Sequence, residues 1–380
     1  MRKVFTVVGT RPEAIKLAPV IRALQADPGR FSVRVCATAQ QREMLDQALA
    51  PFGIVPDVDL DLMRANQTLA DLTSRSVAAL DAGIAAFGPD VVLVQGDTTT
   101  AFCGALAAFY RHVEVAHVEA GLRTGRKDAP FPEEVNRTLI SQIADYHFAP
   151  TGRARDALVG SGIDAASVFV TGNTVVDALL WMRDHVKQHP PALAGMLARD
   201  LEGRALVLVT GHRRESFGRP MEQMCLAIRD VADARPDAIV VYPVHLNPGV
   251  QEPVSRLLGG HPRIRLLPPL AYDAFVWLMD RAAAILTDSG GVQEEAPVLG
   301  TPVFVTREVT ERPEGVDAGN AQLVGTDRAA IVSALLGVLA NPHQRAAMSA
   351  AASPYGDGHA AERIVSVLGV RSKTARFSSA

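Results

Sequence analysis

The chain has 380 residues, 48% of them apolar and 21% charged, which excludes a disordered polyelectrolyte and supplies enough apolar side chain for two cores of roughly 170 to 200 residues each. Its 38 basic and 41 acidic residues leave a net charge of −3, so no overall cationic field draws it to nucleic acid or to an anionic membrane. Cys36, Cys103 and Cys225 stand singly in apolar segments, without the paired spacing of zinc ligands, and read as buried thiols of a reducing compartment.

The first apolar run, residues 4–8, is too short for the core of a signal peptide, and no later stretch approaches the roughly 20 residues that span a bilayer. The expected location is the cytoplasm. Further β-branched runs at 33–37, 91–95, 113–118, 146–149 and 168–170 predict five more strands. Each is followed by Gly, Thr, Asp or Pro and then by a longer Ala/Leu-rich stretch of helical period. A helix from 174 to about 186 and the segment His189-Pro190-Pro191 come next, and the scheme repeats with runs at 206–210, 238–242, 264–267, 284–287 and 303–305. Alternation of this kind is the sequence form of a parallel sheet covered by helices. The predicted fold class is α/β, with two Rossmann-like doubly wound parallel sheets, a hinge near residue 171, and domains at 1–170 and 171–359. A last helix from about 360 to 368 leads to a polar tail.

In open parallel sheets ligands bind beyond the carboxyl ends of the strands, so the polar residues that follow each predicted strand are the ones to weigh. Gly9-Thr10-Arg11-Pro12-Glu13 follows the first, with Pro12 suited to a first helical position and Lys16 about one turn on. A helix start with two cations is an anion site; an ordinary turn with solvated Arg11 and Lys16 has the same sequence form. Asp288-Ser289-Gly290-Gly291 opens another helix, where two glycines let a diphosphate approach backbone N–H groups and Ser289 adds a hydroxyl. Glu295, four residues beyond Gly291, shares its helix face and suits ribose hydroxyls. Arg307 and Arg312 follow on the next loop.

The carboxylates discriminate further. Asp97 and Glu119 end two nearly all-apolar strands, while Glu133 and Glu134 open a helix, where acids also favour the helix dipole. That simple reading is preferred for Glu134 and left open for Glu133. His212, after the first strand of the second set, is a candidate acid, base or phosphate donor, or a plain surface histidine in a basic loop. No Gly-x-Ser-x-Gly elbow, His-Glu-x-x-His helix or Walker loop is present, and the histidines are not spaced as a metal ligand set.

Taken together these residues resemble the non-hydrolysing UDP-N-acetylglucosamine 2-epimerases over essentially the whole chain. The likeness rests on Gly9-Thr10-Arg11-Pro12-Glu13, Gln40-Gln41-Arg42-Glu43-Met44-Leu45, Gly96-Asp97-Thr98-Thr99-Thr100, His117-Val118-Glu119-Ala120-Gly121-Leu122-Arg123, Pro132-Glu133-Glu134, Thr210-Gly211-His212-Arg213-Arg214-Glu215 and the run from Thr287 to Pro297, in the family's order. The resemblance implies a glycosyltransferase-B arrangement with both domains facing a cleft. A C-terminal helix, about 360–380, rejoins the first domain, and two chains form a homodimer. No metal and no redox cofactor are implied. Carried over by position, Asp97, Glu119, Glu133 and His212 are the catalytic group, and Arg11, Lys16, Phe275, Ser289, Gly290, Gly291, Glu295 and Arg312 are the UDP-sugar contacts.

Bacterial members also bind a second UDP-sugar as an activator, for which Gln40, Arg214 and His245 are the candidates here. Gln41, Glu43 and Asn66 depart from the family's surroundings for that site, and Leu270 departs near the uracil. The implied reaction is reversible C2 epimerisation of UDP-N-acetylglucosamine through loss of UDP, a glycal, and re-addition, serving surface polysaccharide precursors. In a dry cleft, crowding of several acids is expected to raise their proton affinity. A glycosyltransferase and a hydrolysing 2-epimerase share much of the pattern. A nucleotide-sugar sensor fits less well, because a diphosphate binder has no use for clustered carboxylates.

Overall fold

The computed structural model describes residues 1–38, 42–62, 64, 67–213, 216–310 and 312–370. The chain divides into two compact units, one comprising Met1–Ala178 with the chain from Tyr355 onward, the other Leu179–Pro354. Among the described residues no helix is long and apolar enough to cross a membrane.

The first unit is built on β1 (Arg2–Val8), β2 (Phe31–Ala37), β3 (Val58–Asp59), β4 (Val91–Gln95), β5 (Glu114–Val118), β6 (Tyr146–Ala149) and β7 (Val168–Val170). They lie in the order β3-β2-β1-β4-β5-β6-β7, and every neighbouring pair is parallel. The chain winds outward through β2 and β3, returns beside β1 as β4, and winds the other way. This reversal opens a crevice beyond the carboxyl ends of β1 and β4. All five residues of β4 are buried, since helices cover both faces of the sheet, and this is why the strand reads as a continuous apolar run. Phe5, Val7, Val92 and Val94 pack there with Ala101, Cys103, Ala105 and Ala108 of the helix Thr99–Tyr110.

The second unit repeats the plan with β8 (Ala205–Thr210), β9 (Ala238–Pro243), β10 (Ile264–Leu267), β11 (Ala282–Thr287), β12 (Val303–Val305) and β13 (Ala321–Leu323). The order is β10-β9-β8-β11-β12-β13, again parallel throughout, with its reversal between β8 and β11. Two doubly wound α/β sheets are thus present. The edge strands β3 and β13 were not anticipated: with two and three residues, neither carries an apolar run long enough to signal a strand. All three cysteines are buried, and burial pushes each thiol up to about 12, as inert core residues.

Local sequence fixes the first site-bearing turn. Thr10 caps the helix Arg11–Gln25 in a capping box with Glu13, so Pro12 occupies the second helical position rather than the first, where its missing N–H is equally harmless. Beyond Tyr355 the chain ties back to the first unit. The Asn173 N–H donates to the Tyr355 carbonyl at 2.7 Å. The Asp177 carboxylate caps the helix Ala360–Val370, accepting from the Ala360 and Ala361 N–H groups at 3.2 and 2.8 Å, and that helix packs on Arg11–Gln25.

Gly121, two residues past Glu119, has φ +97°, and a Cβ there would lie 2.2 Å from the Ala154 carbonyl oxygen in the helix Gly152–Gly160. Backbone conformation and close approach both demand glycine. Gly121→Ala is expected to lower the urea midpoint by the equivalent of at least about 2 kcal/mol; an unchanged midpoint would show that the Ala154 turn yields freely.

Candidate active site

The structure places the predicted residues of the first unit at the carboxyl ends of β1, β4 and β5 and on the helices that follow. Glu119, directly after β5, has φ +64°, a left-handed conformation that costs a non-glycine residue roughly 1 to 2 kcal/mol. The turn brings its carboxylate to Lys16 Nζ in a largely buried ion pair, and Gln95 Nε2, at the end of β4, donates to the same oxygen at 3.1 Å. Asp97 is paired with the Arg137 guanidinium, while Asn136 Nδ2 donates to the Asp97 carbonyl at 2.9 Å. Glu133 stands half-buried at the first position of the helix Glu133–Ile143 that carries both partners. Arg11 is half-buried one residue after the Thr10 cap.

Asp97 and Glu119 each face a cation, a pairing that the sequence did not indicate, and one expectation is corrected. Glu134 is more than a dipole-favouring surface acid: it is buried, pairs with Arg137 at 3.2 Å, and accepts the N–H groups of Thr124 at 3.1 Å and Gly125 at 3.0 Å. It thereby anchors the loop that connects Gly121 to Glu133. The partners Gln95, Asn136 and Arg137 were not assigned roles from sequence. Asn136 and Arg137 lie three and four residues beyond Glu133, which sets them on one helix face with it, and that spacing was the available signal.

Two buried groups brace the loops. Glu13 accepts the N–H of Gly9 at 2.9 Å and of Thr10 at 2.5 Å, together with the Thr98 hydroxyl at 2.5 Å, so the Arg11 and Asp97 loops are joined through one carboxylate. Burial raises its proton affinity against these hydrogen bonds. His117 on β5 donates from Nε2 to the Gly96 carbonyl at 2.7 Å, since a carbonyl can only accept. Burial lowers its pKa from 6.5 to about 3. The unfolded chain therefore takes up a proton below about pH 6.5 that the folded chain refuses. Stability is expected to fall by up to about 1.4 kcal/mol per pH unit from there towards pH 3. A pH series of urea melts on His117→Gln should show a flatter acid limb; an unaltered slope would assign the acid sensitivity to other groups.

In the second unit the predicted residues again follow the strands at the reversal. Ser289 occupies the cap of the short helix Gly290–Glu295, and its N–H donates to Thr287 Oγ1 at 2.9 Å. A Cβ on Gly290 would fall 2.7 Å from Arg312 Cζ, so this glycine makes room for the guanidinium. At Gly291 the nearest atoms would be at ordinary contact, 3.9 Å or more. A larger residue at Gly290 would have to shift the Arg312 guanidinium, so this glycine has a packing use beside the expected one. Arg312 Nε also donates to the buried Glu294 at 2.9 Å. Glu295 is buried and accepts the Tyr272 hydroxyl at 2.6 Å. Phe275 is half-buried on the helix Tyr272–Met279, whose other apolar side chains are core.

His212 follows β8. Its N–H and that of Arg213 donate to Asp288 Oδ2 at 2.8 and 2.9 Å, and its ring stacks on His245 with centroids 5.6 Å apart. Partial desolvation lowers its proton affinity, opposed by Asp288 and reinforced by His245 and Arg213. His245 is thus a direct neighbour of His212. Gln40 and Arg214 lie outside the described residues, as do Gln41 and Asn66, and Glu43's side chain is likewise not described. Among the described residues no three His, Cys, Asp or Glu side chains gather as metal ligands would.

Residues 22–369 match the family model described as UDP-N-acetylglucosamine 2-epimerase. The enzyme of that name from Escherichia coli (strain K12) is 52% identical over 370 residues, covering 96% of this chain and 98% of its own. The one from Bacillus subtilis (strain 168) is 50% identical over 366 residues, covering 96% and 94%. The crystal structure of UDP-GlcNAc 2-epimerase from Neisseria meningitidis bound to UDP-GlcNAc superposes with a TM-score of 0.89 at 43% identity, covering 96% of this chain and 99% of that one. With a match over nearly its whole length and about half its residues identical to these relatives, the chain belongs to the UDP-N-acetylglucosamine 2-epimerase family.

Proposed function

We propose that the protein interconverts UDP-N-acetylglucosamine and UDP-N-acetylmannosamine by a non-hydrolysing route: elimination of UDP, a glycal intermediate, and re-addition. The observation that carries this reading is the set of acids at the carboxyl ends of β4 and β5, Asp97 and Glu119 each held by a largely buried cation, in a chain so close to its relatives. The C2 hydrogen of the substrate has no adjacent carbonyl to acidify it, so its loss must accompany departure at C1. One carboxylate among Asp97, Glu119 and Glu133 takes the C2 proton, the C1–C2 double bond forms, and the C1–O electron pair leaves with UDP. In reverse, a proton reaches the opposite face of C2 and a diphosphate oxygen closes on C1.

Charge that develops on the diphosphate is met by Arg11, Lys16, Arg312, the Ser289 hydroxyl and the N–H groups at Gly290 and Gly291, with His212 as a further donor once its Nε2 has taken a proton. Glu295 receives ribose hydroxyls and Phe275 flanks the base. In this proposal the two units adopt the glycosyltransferase-B arrangement and close over the sugar nucleotide, keeping water out and both fragments in. The working form is a cytoplasmic homodimer that serves surface polysaccharide precursors, and no metal or redox cofactor takes part.

Incubating the protein with UDP-N-acetylglucosamine alone in D₂O tests the proposal. The expected result is deuterium at C2 and equilibration with the manno epimer, both followed by NMR. Unexchanged sugar after long incubation would overturn it and point to a transferase awaiting an acceptor or to a sensor. Irreversible release of free N-acetylmannosamine and UDP would identify a hydrolysing enzyme.

A further inference from the structure

The Asp288 carboxylate has a role that the substrate-contact scheme does not use. Asp288 ends the approach from β11 and is buried, at 1% exposure. Its Oδ2 is saturated by the N–H groups of His212 and Arg213. Its Oδ1 is buried and has no hydrogen-bond partner among the described residues, yet it lies 3.4 Å from Nδ1 of His212. A buried carboxylate oxygen without a donor is costly, and the atom best placed to relieve it is the imidazole nitrogen a few tenths of an ångström beyond hydrogen-bond range. Contacts of this kind commonly tighten when ligand binds. The ring stacks on His245, whose own Nδ1 accepts the Asn247 N–H at 3.1 Å and so is engaged away from the pair.

We infer that Asp288 is the positioning residue of His212: Oδ2 fixes the backbone from which the imidazole projects, and Oδ1 receives its Nδ1–H, leaving Nε2 to face the substrate. The inference rests on the reading of His212 as a member of the catalytic group. One carboxylate sets both the position and the tautomer of the ring, because a carboxylate can only accept. When Nε2 takes a proton, the same anion stabilises the imidazolium. Other charged groups also bear on the ring: Arg213 on its own loop and His245 after β9 oppose protonation, and Asp288 alone favours it. The arrangement matches the logic of an acid-oriented histidine in other enzymes, where loss of the orienting charge leaves the fold intact and disables the base.

Asp288→Asn keeps an acceptor for the two backbone N–H groups but turns an N–H₂ towards Nδ1. In the wild-type protein, ¹⁵N NMR of His212 is expected to show the Nδ1–H tautomer of the neutral ring. In Asp288→Asn it should show the Nε2–H tautomer, with the imidazole titrating at lower pH. Turnover should fall by about 10²-fold or more while UDP affinity changes less than about threefold. In a His212→Ala background the same Asp288 substitution should cost nothing further. A wild-type Nε2–H tautomer would overturn the inference, whatever the fate of the variant. So would an equal additional loss from Asp288→Asn without His212, which would mark a purely structural acid. If His212→Ala itself leaves turnover intact while the Nδ1–H tautomer is found, the catalytic reading of His212 fails and the pairing stands.

Discussion

Asp97→Asn is expected to lower both turnover and C2 hydrogen exchange by about 10² to 10⁴-fold, the range that a positioned acid or base contributes, while UDP affinity stays within about threefold. Asp97 sits two residues past β4 at the sheet reversal, its side chain held by Arg137 and its carbonyl fixed by Asn136. Asparagine preserves size, and the backbone contact does not depend on the side chain, so the substitution removes a charge and a proton site rather than a scaffold. Calorimetric titration with UDP and NMR-detected exchange in D₂O separate the two quantities. Preserved exchange would remove Asp97 from the chemistry, and loss of UDP binding in step with exchange would make it a binding residue.

Lys16→Met should destabilise the first unit by about 3 to 5 kcal/mol, because it strands the Glu119 carboxylate in a site where the two side chains are only 11% and 7% exposed. Gln95 remains as a donor at 3.1 Å, which offsets part of that cost and favours the lower end of the range. Glu119→Gln should be destabilising for the converse reason, an uncompensated buried ammonium. The double substitution Lys16→Met with Glu119→Gln should recover most of the stability, while all three variants lose turnover. Urea melts analysed as a double-mutant cycle give the coupling; additivity within about 0.5 kcal/mol would show that the pair is not a coupled unit. Recovery of stability without recovery of activity would distinguish a pair that serves only the fold from one that holds a carboxylate ready for reaction.

Much of the architecture was legible in the chain because buried parallel strands must be apolar at every position. The runs at 91–95 and 146–149 coincide with β4 and β6, and the polar residue after each run marks a carboxyl end. The edge strands β3 and β13 were not legible: Val58-Asp59 and Ala321-Gln322-Leu323 lack the apolar run that the equally short Val-Phe-Val of β7 and β12 carries, and their pairing comes from a neighbour's hydrogen bonds. At the site, residue types and their order pointed to Asp97, Glu119 and the Ser289 turn, since ligands of open parallel sheets bind beyond the carboxyl ends of the strands. Their partners were not legible in the same way. Lys16 and Glu119 are separated by 103 positions, and Arg137 and Asp97 by 40, so no periodicity relates them.

By itself, then, the sequence determined the alternation of strand and helix, the two sheets, and the residues at their carboxyl ends, because those follow from local patterns of burial and turn chemistry. Tertiary structure decided which charge meets which: that Asp97 faces Arg137 and Glu119 faces Lys16, that Gly290 yields its space to Arg312, and that Asp288 holds the His212 backbone. The physical reason is that ion pairing and close approach depend on distances of a few ångströms between atoms on different strands and loops, and only the packed sheets set those distances.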